Sequence, residues 1–280
     1  MSREGPLASS NGEYHFFDRE RRQSMDLNGK TAVVTGSARG IGFAMAELFA
    51  SKGATAIITD IPGAGLDDAV KQIKDKGGKA IGIPCDVSKE DQVEALMQKT
   101  VDETGRLDVA VLNAGILRDG LLVKADRETK KVVKKMTLDQ WQAIINVNLT
   151  GVFLTGREAA TQMVNCGNGG VIISMSSIAR HGNAGQTNYS AAKAAVSAMS
   201  VVWSKELAPY KIRCAAIAPG FIATPMVMKD MNPAALEKWK KMIPIGRMGE
   251  PEEIAHTALY IIENDLLTGI TMDVSGGIRV

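Results

Sequence analysis

The sequence predicts one α/β domain built on a doubly wound, seven-stranded parallel sheet. Three observations predict it. From Lys30 onward, short apolar runs alternate with longer segments of helical periodicity. The first apolar run passes directly into a glycine-rich turn, TGSARGIG at 35–42. With 280 residues and 45% apolar side chains, the chain can bury one large core. Strands that alternate with helices form right-handed βαβ units, so the sheet is parallel and covered on both faces.

The elements run in order along the chain. TAVVTG (31–36) reads as a buried strand, and GIGFAMAELFASKG (40–53) as a helix stopped by Gly53. ATAIITD (54–60) is the second strand, with a helix in LDDAVKQIKDKG (66–77); KAIGIPCD (79–86) is the third. Ser88 is expected to cap the next helix, whose first turn holds acidic residues where the helix dipole favours them. RLDVAVLNAG (106–115) is the fourth strand, followed by one long helix beginning near Thr137. GVIISMSS (170–177) is the fifth and leads into QTNYSAAKAAVSAMSVV (186–202). KIRCAAIAPG (211–220), a helix in EPEEIAHTALYIIEN (250–264) and GITMDVSGG (269–277) complete the set.

Composition excludes several function classes. A net charge of +2 offers no electrostatic footprint for nucleic acid. Cys85, Cys166 and Cys214 lie far apart, as do His15, His181 and His256, so neither a disulfide framework nor a metal cluster is expected. The thiols fit a reducing, cytoplasmic compartment. No apolar run approaches the roughly 18–20 residues a membrane span needs. Residues 1–26 mix four Arg with five acidic residues and lack an apolar signal core, so they are expected to form a flexible N-terminal extension; 27–280 would be the folded domain.

In a doubly wound sheet, ligands sit at the carboxyl ends of the strands. The first strand runs into glycines at 36, 40 and 42, a variant of the dinucleotide fingerprint that lets backbone N–H groups and a helix N-terminus approach a pyrophosphate. Asp60 ends the second strand, 18 residues beyond Gly42, close to the roughly 20 at which an acidic residue meets the ribose hydroxyls of NAD. Asp86, Asn113 to Gly115, Ser176 and Pro219 to Thr224 end later strands. Tyr189 and Lys193 are four residues apart, on one helical face among alanines. That pair alone favours an ordinary amphipathic helix with one snorkelling lysine over a phenol activated by a neighbouring ammonium, because the spacing occurs often by chance.

Together these residues give the chain a close resemblance to the classical short-chain dehydrogenase/reductase family over residues 27 to 280. It is carried by TGSARGIG (35–42), CDV (85–87), NAG (113–115), NVN (146–148), Ser176, NYSAAK (188–193), PGFIAT (219–224) and TGITMDVSGG (268–277). SSIARHGNAGQTNYSAAK (176–193) looks most like bacterial 3-oxoacyl-[acyl-carrier-protein] reductases and their alcohol-dehydrogenase relatives. The resemblance implies a Rossmann-type enzyme that interconverts a secondary alcohol and a ketone by hydride transfer with NAD or NADP. The alternatives are an NADPH-dependent 3-oxoacyl thioester reductase and, from another class, a non-catalytic nucleotide-binding regulator.

It also implies roles. Tyr189 would be general acid or base, its phenol lowered from near 10 by Lys193 and an oxidised nicotinamide. Ser176, 13 residues before Tyr189, would bind the substrate oxygen in preference to the adjacent Ser177. Asn148 would hold a water linking Lys193 to solvent. The cofactor would lie along Gly36, Ser37, Arg39, Gly40, Ile41 and Gly42, then Asp60 and Ile61, Asp86 and Val87. Further along it would meet Asn113, Ala114 and Gly115, then Tyr189 and Lys193, and finally Pro219, Gly220, Ile222 and Thr224. No metal is implied. A homo-oligomer, tetramer or dimer, is the common family state.

Leu112, Ala215 and the segment 118–136 depart from the family pattern, and Arg39 and Asp60 conflict within it. Arg39 suits NADP whereas Asp60 suits NAD, and NAD is favoured because the carboxylate stands beside the ribose. Leu112 and Ala215 replace common asparagines and are expected to affect sheet packing. RDGLLVKADRETKKVVKKM (118–136) is longer than the usual connection and is expected to form a basic hairpin, with seven basic and three acidic residues from Arg118 to Lys135. The Met-rich segment 221–247 would be an adaptable substrate loop.

Overall fold

Side chains that alternate in direction along each strand split the core into two layers. The computed structural model describes residues 24–63, 65–224 and 241–279. Residues 1–23 of the expected extension and most of the expected substrate loop (225–240) lie outside the described residues. The strands of the main sheet are β1 (Thr31–Thr35), β2 (Thr55–Thr59), β3 (Lys79–Gly82), β4 (Val109–Leu112), β7 (Gly170–Met175), β8 (Ile212–Pro219) and β9 (Thr271–Val274). They are parallel, in the order β3-β2-β1-β4-β7-β8-β9. The order reverses between β1 and β4, which opens a crevice at their carboxyl ends.

Val34, Ile58, Val111 and Ile173 face one layer; Val33, Ile57, Ala110 and Ile172 face the other, as a period of two demands. Helices α1 (Gly40–Ser51), α2 (Leu66–Asp75) and α7 (Pro251–Glu263) contribute to the first layer. Helices α3 (Glu90–Thr104), α5 (Gly151–Cys166) and α6 (Thr187–Glu206) contribute to the second. Leu112 and Ala215 are buried in these layers, so the two departures from the family pattern serve packing.

Two expectations about helices need correction. Ser88 does not cap α3: Lys89 stands at the N-cap, and the Ser88 hydroxyl bonds the Asp86 carboxylate at 2.7 Å. The long helix begins at Thr137 with a capping box, but it is interrupted. α4 (Leu138–Ile145) widens into a π-helical turn, Asn146–Thr150, before α5 resumes. Such turns concentrate at functional sites. The 118–136 insertion forms the expected hairpin, an antiparallel pair of β5 (Val123–Ala125) and β6 (Val132–Lys135). No described helix is long and apolar enough to cross a membrane.

Candidate active site

The crevice between β1 and β4 is built by side chains that hold the backbone. Thr35 ends β1, and its hydroxyl accepts from the N–H groups of Asn113 (2.9 Å) and Ala114 (3.0 Å). Asn113 Nδ2 returns bonds to the carbonyls of Thr35 and Gly36. Gly36 takes a φ of +64°, a conformation open to glycine. A Cβ on Gly42 would stand 2.3 Å from the Gly36 carbonyl oxygen, so α1 enters the turn closer than any side chain permits. At the N-terminus of α1 no side chain caps the free N–H groups, and no acidic residue occupies the first turn. This cradle fits a pyrophosphate.

Asp60 stands at its rim. Its carboxylate accepts from the N–H groups of Ala38 (3.3 Å) and Ile61 (2.9 Å). Arg39 is exposed and forms no ion pair with it among the described residues. Ser37 is buried, and its hydroxyl is spent on Val34 O and Thr59 N–H, so only its backbone faces a ligand. Val87 is packed against Gly151, Pro219 is buried and Ile222 is part of the core; these three candidates shape the walls. Asp86 lies at the carboxyl side of β3, one oxygen holding Ser88, while Gly220 and Thr224 follow β8.

The other wall is α6 and the end of β7. Lys193 is buried, its Nζ 5.6 Å from the centre of the Tyr189 ring and donating to Met175 O at 2.6 Å. Ser176, the expected substrate-binding serine, lies at the seam of β7 and α6. Its buried hydroxyl bonds Lys193 O at 2.8 Å and Ser197 Oγ at 2.9 Å, tying β7 to α6. Ser177 is the half-buried neighbour whose hydroxyl acts on the Tyr189 phenol, and it also accepts from Ala179 N–H. Asn148 sits in the π-helical turn, fully buried, with both ends of its amide bonded to the backbone of Ile116. Its side chain therefore braces the segment that follows β4 and keeps one amide hydrogen and one oxygen lone pair beyond these two bonds.

The comparisons with known proteins agree with this geometry. The family model described as Enoyl-(Acyl carrier protein) reductase matches residues 36–279. The 3-oxoacyl-[acyl-carrier-protein] reductase FabG of Thermotoga maritima is 41% identical over 258 residues, covering 91% of this chain and all of that protein. The short-chain reductase protein NovJ of Streptomyces niveus is 39% identical, covering 88% of this chain and 92% of its own length. A crystal structure of a short-chain type dehydrogenase/reductase from Mycobacterium marinum superposes with a TM-score of 0.79 at 36% identity, over 90% of this chain and 96% of the other. The chain belongs to the short-chain dehydrogenase/reductase family. It is an NAD(P)-dependent oxidoreductase acting on CH–OH or keto groups.

In this dehydrogenase/reductase, burial dominates the electrostatics of the pair. Desolvation pushes the Tyr189 phenol up to about 12, the Ser177 hydrogen bond pulls it down and the Asp119 carboxylate pushes it up further. Burial also pushes Lys193 down to about 8. The only lowering influence on the phenol is the Ser177 hydrogen bond, and burial outweighs it; Lys193, expected to lower it, does not contribute to the shift. Thr35, Ser177 and Asn188 were not among the site residues expected from the sequence. Asn188 is buried and donates to Arg118 O and Gln140 O, so the start of α6 is held against both the insertion and α4. A signal for Asn188 was present, since it stands inside the NYSAAK motif.

Proposed function

We propose that the chain reduces a ketone carried on an acyl thioester, or oxidises the corresponding secondary alcohol, with Tyr189 as the proton-transfer group. The observation that carries this reading is the meeting of a buried lysine, a phenol and one outward serine hydroxyl at the end of β7. The names of the FabG relatives support the thioester class, which the sequence places second. When bound, the nicotinamide supplies or accepts the hydride and, in its oxidised form, adds a positive charge.

In reduction, the Tyr189 hydroxyl gives its proton to the carbonyl oxygen as negative charge develops there. The Ser177 hydroxyl donates a second hydrogen bond to the same oxygen. We assign this role to Ser177 in place of Ser176. Lys193, held by Met175 O, keeps a positive group beside the phenolate that forms. Asn148 acts through Ile116, fixing the backbone on which the substrate rests. The glycine turn and the α1 N-terminus would take the pyrophosphate, and Asp60 the adenosine ribose.

NAD is the proposed cofactor, because the Asp60 carboxylate is anchored by two backbone N–H groups and unengaged by Arg39. A cytoplasmic setting and a homo-oligomer are proposed from the unpaired thiols and the family's habit respectively. The test is turnover of a 3-oxoacyl N-acetylcysteamine thioester and of a simple cyclic ketone with NADH and NADPH. Faster thioester turnover with NADH supports the whole reading. A clear NADPH preference overturns the Asp60 assignment, and Asp60→Ala should then leave NADPH affinity unchanged instead of raising it. Ketone turnover without thioester turnover overturns the substrate class.

A further inference from the structure

The hairpin of β5 and β6 presents a charged surface with apolar residues, exposed among the described residues. Lys124, Lys130, Lys131, Lys134 and Lys135 are all exposed and form no ion pair among the described residues. Two of the segment's three acids are already engaged. Asp126 accepts from the N–H groups of Glu128 and Thr129 in the hairpin tip, and Asp119 accepts from Gln186 Nε2 at 2.8 Å. Leu121, Leu122, Val123, Val132 and Val133 are exposed beside the lysines. Register places Lys124 opposite Lys134 and Val123 opposite Lys135. Like charges on directly opposed residues oppose the pairing, and an isolated two-stranded ribbon is marginal in water. An anionic partner with apolar surface relieves both.

The base of the hairpin is joined to the active-site helix. Gly120 N–H donates to Gly185 O at 2.8 Å, Gly120 bridges Gln186, and Asn188 bonds Arg118 O, one residue from Tyr189. A partner on the hairpin therefore lies beside the cleft entrance.

We propose that this hairpin is the docking surface for an acidic carrier protein that presents the acyl thioester to Tyr189. The proposal rests on the thioester reading above. Charge selects the occupant: a second copy would set lysines against lysines, whereas an acidic surface is complementary and steers association. Continuity with α6 selects a partner that delivers substrate.

The test uses the full chain and two variants: one with Lys130, Lys131, Lys134 and Lys135 changed to Glu, the other with the same four changed to Gln. Binding is read by anisotropy of a labelled, unacylated acidic acyl carrier protein, and turnover with the same 3-oxoacyl chain on that carrier, on coenzyme A and on N-acetylcysteamine. The expected result is a rise of about tenfold or more in carrier Kd and carrier KM, larger for Glu than for Gln, with N-acetylcysteamine kinetics unchanged. Unaltered carrier binding overturns the proposal. So does an equal rise in KM for the coenzyme A thioester, which would assign the lysines to phosphate groups. Loss of anionic-vesicle binding or of oligomer mass, with carrier binding intact, would assign the hairpin to a membrane or to a second copy and likewise overturn it. Carrier binding lost in the Glu variant while no thioester is turned over by the parent would sustain the docking surface and sink the substrate reading.

Discussion

Exchanging the roles of two adjacent serines gives the sharpest prediction. Ser177→Ala removes the hydroxyl beside the Tyr189 phenol. If that hydroxyl donates to the substrate oxygen in the transition state, its loss should lower kcat by about 10²–10³, the effect of deleting one preorganised donor. Its bond from Ala179 N–H caps a short 3-10 turn, so about 1 kcal/mol of stability should go with it. Ser176→Ala should do the reverse. It removes a buried hydroxyl bonded to Lys193 O and Ser197 Oγ, which costs about 1–3 kcal/mol. At roughly 2–4 °C per kcal/mol for a large domain, Tm should fall by about 2–12 °C. Its kcat at a temperature well below the transition should stay within about threefold of the parent, since no reacting atom loses a contact. Paired thermal melts and steady-state kinetics on one ketone substrate measure both, and Ser177→Thr, which keeps a hydroxyl, should recover most of the rate. A Ser176→Ala enzyme that is stable but nearly inactive, beside an active Ser177→Ala enzyme, would refute the reasoning.

Lys193 predicts a pH signature. Its folded value, near 8, lies below the ordinary 10.5, so the unfolded chain binds more protons between those limits and stability rises with pH there. The difference in unfolding free energy between the parent and Lys193→Met should be flat below about pH 7 and grow by about 3 kcal/mol toward pH 10.5. Denaturant titrations that run parallel across that window would contradict it. Gly42→Ala places a Cβ 2.3 Å from Gly36 O and 2.7 Å from Asn113 Nδ2, so the turn must open. Cofactor affinity, read by nicotinamide fluorescence, should fall about tenfold or more and stability by about 1–3 kcal/mol. Tight cofactor binding in that variant would show that the glycine cradle does not hold the pyrophosphate.

The fold was legible because its signals are local and repeated. Each apolar run from TAVVTG to GITMDVSGG lies on a strand of the sheet, and Gly53 and Gly105 end helices with positive φ as their type predicts. The ends of strands were also legible, since glycine turns and short polar residues mark them. What the sequence did not disclose was direction. Ser176 and Ser177 are chemically identical neighbours, and counting 13 residues back from Tyr189 chose the one that points into the α6 interface. Only the alternation of strand side chains, carried two residues past β7, sends Ser177 to the opposite side. Asn148 was found by its motif, but its bracing of Ile116 depends on a π-helical turn that helical periodicity cannot reveal. Ser88 shows the same limit at a helix start: a nearby carboxylate at Asp86 competes for the hydroxyl that would otherwise cap.

The central claim is that the Tyr189 hydroxyl moves the proton that accompanies hydride transfer. Tyr189→Phe tests it, with cofactor binding followed by fluorescence and reduction followed in a single turnover. The predicted result is cofactor affinity within about threefold of the parent and a rate lower by about 10²–10⁴. Unimpaired reduction by the phenylalanine variant would contradict it.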